Sequence, residues 1–279
     1  MNIFTPDQLT LTGINALLAW SVYIVMLSGT ISFAQVSFAA IGAYVSGVMT
    51  VRHGLPLAAA LPAGMFAAAL MAVITGYPAL RVRGLFLMLV TIGLVVVVRV
   101  LLQNFAYFGG VQGLTGMDGV APMHVLAAVL VVFVLVFVLS RSPLQRTLDA
   151  VRHDERVAAS LGINATYLRM MAFLFGAAVA GLAGALYAHY VVYINPERFD
   201  ILWSVYIVFY VILGGVNNIW GPAVGAVVLT LLPEVFQAFS AWRPTVYGLA
   251  IVVMLAVRPD GLLSFRTPTI RASRLPRQG

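Results

Sequence analysis

Long apolar stretches separated by short polar ones run almost the whole length of this chain. Apolar runs fall at about 9–28, 33–51, 56–77, 84–103, 122–140, 168–190, 201–215, 222–238 and 244–258. A helix needs about 20 apolar residues to cross the hydrocarbon core of a bilayer. The pattern therefore predicts an all-α, polytopic transmembrane bundle of about nine spans, with eight to ten as the range. The weakest run is 33–51, which holds Gln35, Ser37, Ser46 and two glycines. It reads either as a full span or as a re-entrant segment, and the choice moves only the N-terminus across the membrane. The N-terminal stretch has neither a basic region nor a small-residue cleavage site, so the first run is expected to be a retained span.

One polar interval is longer than the rest. "LDAVRHDERVAASLG" predicts a short helix with Leu148, Val151, Ala158 and Leu161 roughly on one face, charges on the other, and Gly162 closing it. A small-residue face on such a helix suits docking into a groove on a partner. Elsewhere, "FGAAVAGLAGALYA" sets Ala177, Gly181 and Gly184 at small-xxx-small spacing, which predicts close helix contact.

The hexamer "WSVYIV" occurs at 20–25 and again at 203–208. Counted from each Trp, Gly42 and Gly225 lie at the same offset, and so do Ala43 and Ala226. A parallel internal repeat would explain this. Chance identity in so apolar an alphabet is the alternative.

Composition fixes the solvent. The chain is 62% hydrophobic and 9% charged, against about 25% charged residues in a soluble domain. Its surface must face lipid, and no room is left for a folded soluble domain. There is no P-loop pattern. Cysteine is absent, which removes disulfides, thiol chemistry and cysteine-ligated metals.

The net charge is +7, and all sixteen basic residues are arginine. They cluster at 81–83, 141–169 and 258–277, beside the apolar runs, which marks a cytoplasmic membrane face rather than a nucleic-acid site. Placing 141–167 inside puts twelve arginines inside and four (52, 99, 198 and 243) outside. The expectation is a transmembrane domain over 1–258, a cytoplasmic loop at 141–167 within it, and a basic cytoplasmic tail at 259–279. The N-terminus is then outside.

Candidate chemistry is sparse. The four histidines and nine carboxylates sit mostly at span ends or in loops, without metal-ligand spacing or a catalytic set. No metal, cofactor or catalytic residue is expected. Charges buried in the membrane would mark ion coupling, and almost none occur. A lipid-modifying enzyme, with clustered His or Asp near one interface, is disfavoured in the same way. Polar side chains at glycine-rich breaks are the candidates for a translocation path: Ser28, Ser32, Gln35, Ser37, Thr91, Asn217 and Asn218. Bonding to neighbouring helices is the other role open to each.

Several stretches together resemble the branched-chain amino acid (Liv-type) permeases of ABC importers. They are "RVRGLFLMLVTIGL" at 81–94, "VAASLGINATYLRMMAFLFGAAVAGLAGALYA" at 157–188, "GGVNNIWGPAVGAVVLTLLPE" at 214–234 and "SFAQVSFAAIGAYVSG" at 32–47. Two departures stand out. Gln35 takes a place where glycine or histidine is common, and Phe108, opening "FGGVQGLTGM", stands where the family often has threonine. The 141–167 loop resembles the coupling loop of such permeases. That likeness implies that Ala158, Ala159 and Gly162 enter an ATPase groove, with Arg152, Asp154, Glu155 and Arg156 as the polar rim.

The resemblance implies an inner-membrane permease subunit taking up branched-chain or other small hydrophobic amino acids by alternating access. It also implies a second permease subunit, two ABC ATPases and a periplasmic substrate-binding protein. A stand-alone secondary carrier or channel for a small neutral solute is the competing expectation.

Overall fold

The computed structural model describes residues 6–82, 84–235, 248, 252 and 261–263. The predicted run at 244–258 and most of the 259–279 tail lie outside them. The α-helices with defined bounds among the described residues are α1 (Pro6–Leu27), α2 (Gln35–Val51), α3 (Leu57–Ala79), α4 (Leu85–Asn104), α5 (Pro122–Arg141), α6 (Pro143–His153), α7 (Glu155–Ser160), α8 (Ala165–Val191), α9 (Ile201–Gly214) and α10 (Trp220–Val235). Among the described residues, α1, α3, α4, α5 and α8 are long and apolar enough to cross a membrane, while α2, α9 and α10 are shorter apolar helices. Each described apolar run of the sequence coincides with one of these eight, and the chain is a multi-pass membrane protein.

The core is built on α8. It packs along α2, α3 and α1, and small residues allow the approach. A Cβ at Gly42 of α2 would strike the Gly181 backbone, and one at Gly184 would strike the Ala39 carbonyl. One at Gly176 would stand 2.7 Å from the Ser21 carbonyl oxygen of α1. The small-residue face expected on this helix is therefore its contact face, and backbones meet where side chains are missing. Enclosed by α5, α8, α9 and α10, α1 is buried along most of its length. By contrast, α3, α4 and α5 expose many large apolar side chains, among them Phe66, Leu70, Leu89 and Leu135. Apolar exposure of this kind suits lipid or a second membrane subunit.

The bundle has two poles. At one, strand β1 (Leu114–Thr115) pairs antiparallel with β2 (Tyr193–Ile194), matching Leu114 with Ile194 and Thr115 with Tyr193. The start of α1 lies there, since the Tyr190 hydroxyl donates to the Asp7 carbonyl at 3.2 Å. The end of α2 lies there too: Tyr44 donates to the Ile194 carbonyl at 3.4 Å, and His53 shares a 3.1 Å hydrogen bond with Tyr107. At the other pole sit α6 and α7, the end of α1 and the start of α2, where the Phe33 amide donates to Thr91 Oγ1 at 3.2 Å. Thus α2 runs from one pole to the other. At 17 residues, α2 is shorter than the helices long enough to cross a membrane.

In the loop an expectation changes; in α9 the expected run at 201–215 holds. The loop does not form one helix. Asp154 takes an extended conformation (φ −152°, ψ 105°) and its carboxylate accepts from the Arg156 and Val157 amides at 2.9 and 3.2 Å. This N-cap ends α6 and restarts the chain as α7. The break resets the helical phase. Leu148, Val151 and Ala158 turn inward, while Leu161, expected on the same face, is 73% exposed.

Helix α9 is only 14 residues long, about 21 Å at 1.5 Å per residue. The turn between α9 and α10 sits beside the middle of its neighbours. The Trp20 indole N–H donates to the Ile219 carbonyl at 3.0 Å, and the Trp220 ring lies 4.6 Å from that of Phe133. Trp20 and Phe133 stand about two helical turns before α1 and α5 end.

The repeated hexamer falls on α1 and α9. The tertiary settings of the two copies differ: α9 packs closely on α10, whereas α1 touches α2 only near their shared turn. Trp20 is buried and bonded, and Trp203 is half-buried against Tyr187 and Phe199. Packing does not repeat with the sequence.

Candidate coupling surface and translocation residues

The α6–α7 pair is tied to the bundle at three points. Leu148 and Val151 of α6 are buried in the common core. Gly29, at the end of α1, has φ +78°, and a Cβ there would stand 3.2 Å from Arg152 Cα. A residue with a side chain would be strained in this conformation and would push α6 away. Across the gap to α8, Arg169 Nη2 donates to Glu155 Oε2 at 3.0 Å, joining two side chains that are both well shielded. These contacts join α6 to the Ser28–Ser32 turn at Gly29 and α7 to α8 at Arg169.

Residues expected to act as one docking face divide. Ala158 is 1% exposed and packs inside this chain. Ala159, Gly162, Arg152, Asp154 and Arg156 are on the surface, with Glu155 half-buried. An open recess of about 600 Å³ is lined by His153, Asp154, Glu155, Arg156 and Ala159. Ala159 with its charged neighbours thus presents a concave face, while Ala158 anchors it from behind. Exposed Val157 and Leu161 flank the recess. The apolar pattern did not single them out, because the break at Asp154 sets their direction.

Candidate path residues fall into two groups. Ser28, Ser32, Gln35, Ser37 and Thr91 are all buried around the turn from α1 to α2. Ser28 donates to the Val25 carbonyl at 2.7 Å, Thr91 donates to the Met88 carbonyl at 2.9 Å, and Ser32 Oγ accepts from the Ala34 amide at 3.2 Å. Gln35 and Ser37 differ. Both Gln35 amide atoms and Ser37 Oγ are buried without a hydrogen-bond partner among the described residues. A buried unpaired polar group costs about 1–3 kcal/mol, so this turn carries a standing penalty.

The second group, Asn217 and Asn218, lies on the turn from α9 to α10. Asn217 is exposed, and Asn218 caps the turn by accepting from the Trp220 amide at 3.2 Å. The structure does not bring the two groups into one lined channel. Phe108, the departure in the outer loop, is a packing residue whose ring meets those of Tyr44, Phe105 and Tyr107. Among the described residues, no cluster of three His, Cys, Asp or Glu side chains could hold a metal.

Comparison with known proteins agrees with this arrangement. The family described as branched-chain amino acid transport system / permease component matches residues 5–258. The high-affinity branched-chain amino acid transport system permease protein LivM of Escherichia coli (strain K12) is 30% identical over 304 residues, covering 96% of this chain and 72% of that protein. BraD of Pseudomonas aeruginosa, described in the same words, is 34% identical over 165 residues, 55% of this chain and 52% of its own. LivH of Escherichia coli (strain K12), also so described, is 27% identical over 124 residues, 44% of this chain and 40% of its own. No solved structure matches.

Proposed function

This chain belongs to the family of branched-chain amino acid transport permease components, and from that premise we propose that it is one membrane subunit of an ATP-driven importer for branched-chain or other small hydrophobic amino acids. The observation that carries the reading beyond family membership is the exposed recess at Ala159, built on two helices that are themselves locked to α1 and α8. A partner seated there moves the spans. The partners are two ABC ATPases on the α6–α7 pole, a second permease of the LivH type beside the spans, and a substrate-binding protein at the opposite pole. That orientation makes the α6–α7 pole and the 259–279 tail cytoplasmic, in a bacterial inner membrane.

In this mechanism, ATP closes the ATPase dimer and pulls the recess with it. Gly29 and the Arg169–Glu155 pair carry the displacement to the turn holding Ser28, Ser32, Gln35 and Ser37. The unpaired amide of Gln35 gains partners when the turn opens, which lowers the cost of the alternate state. Asn217 and Asn218, set apart on the α9–α10 turn, act on translocation separately from the turn holding Gln35. Irregular backbone short of the helix ends is tolerated in a membrane where it is covered by protein or lines water. No bond chemistry is performed by this subunit.

The test is purification of the tagged chain from its native membrane. A complex of four membrane-associated polypeptides, two of them ATPases, is expected, with hydrolysis stimulated by an amino-acid-loaded binding protein. Recovery of the chain without ATPases, active in reconstituted transport, would contradict the proposal.

A further inference from the structure

At the β pole a cavity of about 370 Å³ opens between α1, α8 and α9, closed on one side by the turn Pro196–Arg198. This volume is in the range of about 300–1,000 Å³ common for small-ligand sites. Its wall is unlike the apolar surface of the spans. Arg198 and Glu197 lie side by side on the turn, Asn15 faces them from α1, and Tyr187 and Trp203 form an aromatic side.

The wall is held in place from behind. The Tyr187 and Trp203 rings are 5.1 Å apart, and Trp203 also packs at 5.4 Å on Phe199, which is 1% exposed. Asp200 fixes the start of α9 by accepting from the Trp203 amide at 2.8 Å. Asn195 fixes the turn by accepting from the Glu197 amide at 2.9 Å. Among the described residues, neither Glu197 nor Arg198 makes an ion pair.

Asp200 also lines the cavity, but its carboxylate caps α9; the Arg198 guanidinium, the Glu197 carboxylate and the aromatic wall complement a small zwitterion with an apolar tail. We propose that this cavity binds the free amino acid on its way into the spans, with the carboxylate on Arg198, the ammonium on Glu197 and the apolar side chain against Trp203 and Tyr187. A planar guanidinium holds a carboxylate through two parallel hydrogen bonds. The proposal rests on the importer reading for its choice of ligand. It adds a residence site on this subunit, distinct from the buried turn at Gln35.

The experiment measures equilibrium binding of L-leucine to the purified membrane complex in nanodiscs, without the binding protein. Wild type should bind saturably, and Arg198→Gln and Glu197→Gln should each weaken binding at least tenfold. Leucinamide, which lacks the carboxylate, should bind wild type as weakly as leucine binds Arg198→Gln. It should be indifferent to that substitution. Docking of the substrate-binding protein to Arg198→Gln should stay at the wild-type level.

Equal leucine binding by wild type and both variants would overturn the proposal. So would loss of docking in Arg198→Gln, which would make the turn a protein contact. Leucine binding that appears only when phosphatidylethanolamine is omitted from the nanodisc would also overturn it, because a lipid headgroup would then be the resident zwitterion. Uptake by the wild-type complex, run in parallel, reports on the importer reading alone.

Discussion

Ala158 and Ala159 are neighbours of the same type, yet the fold gives them opposite tasks. Ala158 is packed inside the chain, and Ala159 forms the floor of the recess. Filling that floor should block a partner without disturbing the bundle. We expect Ala159→Trp to insert normally but to lose ATPase copurification and at least nine-tenths of uptake. Arg152→Ala should remain within about twofold of wild type, since an exposed charge contributes under ~1 kcal/mol. Normal copurification and uptake in Ala159→Trp would remove the recess from the coupling role. Gly29→Ala tests the next link. Its φ of +78° costs an ordinary residue about 1–2 kcal/mol, and the added Cβ presses on Arg152. ATP hydrolysis should persist in this variant while uptake falls several-fold; tight coupling retained in Gly29→Ala would sink that link. These residues were only partly legible in the sequence. The apolar pattern placed helix in this loop, but the N-cap at Asp154 overrode the amphipathic phase and redirected Leu161 outward. Gly29 looked like one glycine among 25 until Arg152 was found against it.

At the scale of elements, the helices themselves were the clearest signal. Each described apolar run forms a helix whose ends fall close to the bounds read from the sequence, and five of these helices are long and apolar enough to cross a membrane. The small-xxx-small spacing on α8 was equally direct, because close backbone approach needs missing side chains. Gly181→Val should therefore destabilise the bundle. The first added atom would stand 3.0 Å from the Gly64 carbonyl oxygen and closer still to Ala68, and overpacking of this kind costs about 1–3 kcal/mol. A thermal melt in detergent should show a lower midpoint than wild type, and an unchanged midpoint would place the α3–α8 contact elsewhere. The hexamer repeat misled in a different way. Six identical residues encode a helix but not its neighbours: Trp20 bonds Ile219 far along the chain, whereas Trp203 packs on nearby Phe199 and Tyr187. The short α9 was legible in the run at 201–215, which stops at Gly214 and Gly215, the latter with φ +108°.

At the scale of the molecule, the two poles give the chain a sidedness that single cysteines can report, since it has none of its own. Ser142→Cys, between α5 and α6, should be labelled only from the cytoplasm. His53→Cys, beside Tyr107 at the opposite pole, should be labelled only from outside. Labelling of Ser142→Cys in intact cells by an impermeant reagent would invert the assignment. In the proposed importer, energy enters through the recess lined by His153, Asp154, Glu155, Arg156 and Ala159. The most direct measurement is uptake of radiolabelled leucine, isoleucine and valine into proteoliposomes holding the full complex. The account predicts uptake that requires both ATP and the loaded binding protein and that disappears in Ala159→Trp. Uptake by this chain alone, driven by an ion gradient or by the solute's own gradient, would contradict it.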